Sequence, residues 1–220
     1  IRDRGFPGTL EVRVTYSLTA DGVLRLDYWA KSDADTLCNL TNHSYFNLLG
    51  HDAGTLAGQQ VEIFADAITQ ADENSTPTGA LLPVEGTPFD LRKPRDLLEG
   101  LAMDHPQLAL GNGYDHNFVL HTAPISLLSL AARASGGGLV LECLTTQPGL
   151  QLYTANYLDG TPGKGGASYG PRSAFCLETQ NWPDAVHHAS FPSPVLRAGE
   201  VYPHRTSLLY TSPSPRDLSL

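Results

Sequence analysis

A glutamate interrupts an apolar run at Ala174-Phe175-Cys176-Leu177-Glu178-Thr179. Taking a carboxylate out of water costs several kcal/mol unless it is paired, hydrogen-bonded or protonated. Alternate side chains of a strand point to opposite faces, so Glu178 points either to solvent or into a cleft. The segment after it, Gln180-Asn181-Trp182-Pro183, favours the cleft, because Asn, Trp and Pro together predict a rigid turn with an aromatic wall. Trp182 is one of two tryptophans, and a flat ring beside a carboxylate suits a sugar. Two other segments set an ionisable group beside Asn and an aromatic: Thr41-Asn42-His43-Ser44-Tyr45-Phe46-Asn47 and Gly111-Asn112-Gly113-Tyr114-Asp115-His116-Asn117-Phe118. Carboxylate and imidazole move protons near neutral pH, with reference values of about 4.3 and 6.5 that suit Glu to the base and His to the acid. Each residue also has a plainer reading: a solvent-facing Glu178, a satisfied core His43, a turn cap at Asp115, an outward Gln151.

The elements that must position these groups read as strands. Leu10, Val12, Val14, Tyr16 and Leu18 alternate with polar residues, and after the turn dipeptide Asp21-Gly22 the alternation resumes at Leu24, Leu26, Tyr28 and Ala30. Further short runs are predicted at Val61 to Ala65, Asn117 to His121, Ser126 to Ala134, Leu139 to Thr146, Leu150 to Asn156, Phe175 to Thr179 and Val201 to Leu209. The 21 glycines and 16 prolines punctuate nearly every gap. Only Arg95 to Met103 reads as helical, with Leu97, Leu98 and Leu101 on one face. The expected fold is all-β, a large antiparallel β-sandwich, and 220 residues bury a sizeable core as one domain.

Composition narrows the partners. A net charge of −9 excludes a phosphate-backbone partner, so no nucleic acid is expected. Scattered Lys and Arg, and no apolar run of membrane-spanning length, point away from a membrane. Cys38, Cys143 and Cys176 are odd in number and have apolar neighbours, as reduced core thiols of a cytoplasmic protein do. His116, His187, His188 and His204 follow no ligand spacing, so neither a metal nor another cofactor is expected.

Taken in order with Thr145-Thr146-Gln147-Pro148-Gly149-Leu150-Gln151-Leu152-Tyr153-Thr154-Ala155-Asn156, these segments resemble the aldose 1-epimerase (galactose mutarotase) family from about Gly5 to about Thr206. The resemblance implies that family's supersandwich fold, and a reaction in which α and β anomers of a free aldose interconvert by ring opening. It implies Glu178 as general base and His43 as general acid, with Asp115 bonded to sugar hydroxyls and Ser44, Tyr45 and Gln151 lining the sugar pocket. Members carry roughly another hundred residues ahead of the position of Ile1, including an Asn-Arg pair and a His-Gly-Gly segment that this sequence lacks. The chain therefore reads as residues 1–209 of a sandwich incomplete at its N-terminus, followed by a disordered or non-native tail over 210–220.

Three other functions compete. A glycoside hydrolase would pair Asp115 with Glu178 at roughly 5–9.5 Å, and the Glu/His pairing argues against it. A carbohydrate-binding domain would keep the walls without the chemistry. A hexose-6-phosphate epimerase would gather Arg near the site, whereas the arginines here lie away from the three motifs.

Overall fold

The computed structural model describes residues 5–121 and 127–212. Two antiparallel sheets dominate. One has seven strands, in the order Leu10–Leu18, Val23–Ser32, Val201–Thr211, Leu139–Thr145, Ser129–Gly136, Gln60–Ile63 and Arg95–Asp96. The other has six, in the order Tyr45–Phe46, Phe175–Gln180, Gly149–Tyr153, Asp115–Leu120, Ala65–Ala71 and Pro77–Pro83. Leu26, Ile63 and Leu141 from the first sheet share one core with Phe118, Leu150, Leu152, Phe175 and Leu177 from the second. This is the sandwich that alternating strands dictate, since each sheet has one apolar face to bury.

The hairpin at Asp21-Gly22 forms as expected. Gly22 sits at φ +82°, and its N–H donates to the Thr19 carbonyl at 3.0 Å. A second hairpin, Ala65–Ala71 with Pro77–Pro83, has no counterpart in the sequence reading. Prolines bound its outer strand at both ends, which marks a strand as broken except at a sheet edge, and this strand is the edge. Its turn is closed by the Asp72 carboxylate, which accepts from the N–H groups of Asn74 (2.8 Å) and Thr76 (2.9 Å).

The helix expected over Arg95 to Met103 is shorter. Arg95–Asp96 pairs as a strand, and the helix spans Leu97–Leu101, started by the Asp96 carboxylate accepting from the Leu98 N–H at 2.8 Å. A second helix, Pro106–Leu110, escaped the reading because it is barely more than a turn. The last strand continues to Thr211, since Tyr210 and Thr211 pair with Leu141 and Val140. The expected tail therefore loses its first two residues to the sheet, and its remainder from 213 on lies outside the described residues, as does Ser126. No helix among the described residues is long and apolar enough to cross a membrane.

Candidate active site

Strand register gathers the site. Gln151 lies directly opposite Glu178 on one side and Asn117 on the other, while Tyr153 lies opposite Cys176 and Asp115. Cys176 in turn faces Tyr45. Opposed residues share a sheet face, as do residues two apart along a strand. Glu178, Gln151, Tyr153, Asp115, Cys176 and Tyr45 therefore occupy one face, and Leu150, Leu152, Phe118 and Leu177 occupy the other, which is the core. An open cleft of about 380 Å³ lies over the polar face, lined by His43, Tyr45, Asp115, Gln151, Tyr153, Tyr157, Glu178, Gln180 and Pro183.

Glu178 and His43 meet in this cleft, Oε1 to Nε2 at 3.4 Å. The histidine side chain is half exposed and the carboxylate nearly buried, at 50% and 11%. Burial first, and the nearby Asp115 charge second, push the Glu178 carboxyl up to about 7. That brings its proton affinity into the range of an ordinary imidazole. Asp115 is also raised, chiefly by burial, against the pull of Gln151, whose Nε2 donates to its Oδ1 at 2.8 Å, and of His43. On the other side of the imidazole, Cys176 Sγ lies 3.4 Å from Nδ1. Burial and the two carboxylates hold that thiol protonated. The His43 ring is further bounded by Tyr45, tilted at 5.0 Å, and by the edge of Tyr153 at 5.7 Å.

The loop that delivers Asp115 is pinned by Asn156, whose Nδ2 donates to the carbonyls of Gly111 (2.7 Å) and Tyr114 (2.9 Å). Its Oδ1 accepts from Thr154 at 2.7 Å and from Arg172, which also holds the Asn112 carbonyl. Gly113 sits inside this knot at φ +130°.

Five of the six expected site residues, His43, Tyr45, Asp115, Gln151 and Glu178, thus share the cleft. Ser44 is exposed and does not line it. Trp182 does not form the expected wall: its Nε1 donates to the Pro148 carbonyl at 3.0 Å, its ring packs on Phe191, and it lines a separate groove. The walls are tyrosines 45, 153 and 157 with Pro183. Cys38, Cys143 and Cys176 are all buried free thiols as expected, and Cys176 is in addition a neighbour of His43. Its alternation with Glu178, two positions on, was the signal that placed it on the same face. Among the described residues, the one group of three possible metal donors within 4.8 Å of one another is His43, Cys176 and Glu178.

The aldose 1-epimerase family profile matches residues 2–209. The chain belongs to that family. Its relatives include galactose mutarotases from Sus scrofa, 47% identical over 95% of this chain, and Homo sapiens, 48% identical over 93%. The chain spans 60% and 58% of those two proteins, respectively. An aldose epimerase homologue from C. elegans superposes with a TM-score of 0.84 at 30% identity, covering 96% of this chain and 62% of that one. The expected mutarotase-type sandwich is therefore the fold of this epimerase-family chain.

Proposed function

We propose that this chain carries the acid/base machinery of an aldose 1-epimerase, acting on free hexoses such as glucose and galactose. The observation that carries the reading is the 3.4 Å approach of His43 Nε2 to Glu178 Oε1 in an open cleft. Opening a pyranose requires one group to take the C1 hydroxyl proton and another to protonate the ring oxygen. Both oxygens are bonded to the same carbon, so the two groups must stand close together. Glu178 takes the hydroxyl proton as the carbonyl forms at C1, the bond from C1 to the ring oxygen breaks, and His43 delivers a proton to that oxygen. Rotation about the next carbon bond and closure with the roles reversed yield the other anomer. Burial raises the Glu178 carboxyl to about 7, which lets it both take up and return a proton near neutral pH, as a reaction run in both directions requires.

Asp115, Gln151 and Tyr45 are assigned to the sugar hydroxyls and ring face, supported by their place in the cleft lining, which does not include Ser44. None of the described residues lining the cleft is Arg or Lys, which favours an unphosphorylated sugar. The name of the relatives, galactose mutarotase, supports galactose among the substrates. Three free, buried cysteines support a reducing, cytoplasmic location. Polarimetry of freshly dissolved α-glucose and α-galactose tests the reading. Acceleration that is lost in both Glu178→Gln and His43→Asn supports it, and acceleration that survives either change rejects it.

A further inference from the structure

Beneath the cleft, on the core side of the sheet, lies a set of polar groups that the acid/base chemistry does not use. The strand Val201–Thr211 belongs to the opposite sheet, yet three alternate residues of it, Tyr202, His204 and Thr206, reach toward both segments that carry the reacting groups. On one side, Thr206 Oγ1 lies 2.5 Å from Thr179 Oγ1, and His204 Nε2 lies 3.0 Å from Thr206 Oγ1 and 3.4 Å from Thr179 Oγ1. Thr179 is the residue after Glu178, pointing inward where Glu178 points outward. On the other side, the Tyr202 hydroxyl accepts from the Leu40 N–H at 3.4 Å, while the His204 Nδ1 is buried without a hydrogen-bond partner. Leu40 begins the segment that leads through Asn42 to His43.

The imidazole has no freedom to leave. His204 is 3% exposed, and Tyr28, its partner directly across the sheet, stacks on it at 4.4 Å and 12°. Burial drives its proton affinity down to about 4, so the ring is neutral at pH 7, with one nitrogen donating and one accepting. A neutral ring against two hydroxyls ties its strand to Thr179 without placing a charge in the core, and Tyr202 on the same strand ties it to Leu40.

We propose that His204, with Tyr202 and Thr206, is a positioning residue that sets the separation of His43 and Glu178 by tethering both of their segments to the opposite sheet. This rests on the reading of His43 and Glu178 as acid and base. A pair that serves two oxygens on one carbon tolerates little displacement, and a misplacement of about 1 Å costs up to about 100-fold in rate. The sugar hydroxyls are held elsewhere, by Asp115 and Gln151, so substrate affinity is spared.

The test is steady-state mutarotation by the chain and its variants, with thermal unfolding measured alongside. His204→Phe keeps the ring and its stacking on Tyr28 but removes both nitrogens; it should lower kcat by about 10–100-fold with KM within about threefold of wild type. His204→Gln returns an amide to the place of Nε2, against the two threonine hydroxyls, and should recover most of that loss. A folded His204→Phe with unchanged kcat overturns the proposal, as does a His204→Gln that is no better than His204→Phe. Should His204→Phe fail to fold, the isosteric Thr179→Val carries the test: the same fall in kcat at constant KM supports the tether, and wild-type kcat overturns it. Glu178→Gln is measured in the same series. If that variant keeps full activity, the acid/base reading fails and the tether falls with it, whereas an inactive Glu178→Gln beside a fully active His204→Phe rejects the tether alone.

Discussion

Glu178 concentrates the energetics of the site in one side chain. Its carboxyl titrates near 7 in the folded chain, against about 4.3 for an unperturbed glutamate, because burial and Asp115 disfavour the charge. With Glu178 as the proposed base, the ionised form acts, so kcat/KM should rise with pH through an acid limb centred near 7. Polarimetric rates corrected for spontaneous mutarotation will show it, and a limb near 4 would mean that the carboxylate is far better solvated than its burial implies. Replacement by Gln should lower the rate by about 10²–10⁴-fold. The same shift has a sign for stability. Between about 4.3 and 7 the folded chain binds more protons at this site than the unfolded chain, so its contribution to stability falls as pH rises through that window. Glu178→Gln removes the effect. Above pH 7 the variant should be more stable than wild type by about 1–3 kcal/mol, allowing for water in the cleft, and the gain should vanish near pH 4. Melting curves across pH measure this directly.

Among the elements, the loop from Gly111 to Tyr114 is held from several sides by Asn156 and Arg172. Asn156 and Arg172 fill the space around Gly113, such that a Cβ there would lie 2.6 Å from Asn156 Oδ1 and 3.0 Å from the Arg172 guanidinium. The backbone at φ +130° is itself a conformation that L residues avoid. Gly113→Ala should therefore destabilise the chain by about 1–3 kcal/mol and raise KM, because Asp115 follows two residues later. Denaturant unfolding and steady-state kinetics check the two halves of that expectation. A neutral outcome in both would show that Asn156 and Arg172 swing aside without consequence.

For the molecule as a whole, the sheet that carries the cleft rests on a core shared with the opposite sheet. Phe118 is 1% exposed and stands on the core face of the same strand that carries Asp115 on its cleft face. Truncation to Ala leaves a cavity between the sheets and should cost about 3–5 kcal/mol, a large part of the 5–15 kcal/mol margin typical of a domain. Thermal or urea unfolding would register it as a marked loss of the midpoint. A loss below about 1 kcal/mol would mean that the two sheets close over the gap. The groove lined by Trp182, Leu10 and Val12 shares no lining residue with the cleft.

Alternation in the sequence was enough to lay out the strands around Glu178, the hairpin at Asp21-Gly22 and the polar-over-apolar faces of Gly149–Tyr153, because side-chain direction along a strand follows from backbone geometry alone. Order and spacing of the motifs were enough to name the family. Prolines at both ends hid the strand Pro77–Pro83, since the sequence carries no mark of which strand will be an edge. Trp182 stands apart from the cleft for a related reason: its residue type suits a sugar wall, but the Pro148 carbonyl, distant in sequence, and the ring of Phe191 decide where the indole points. Cys176 and His43, 133 positions apart, meet at 3.4 Å only because the strand Tyr45–Phe46 pairs in register with Phe175–Gln180. The proton affinity of Glu178 belongs to the same category, because desolvation depends on every segment that crowds a carboxylate and not on the residues beside it in the chain.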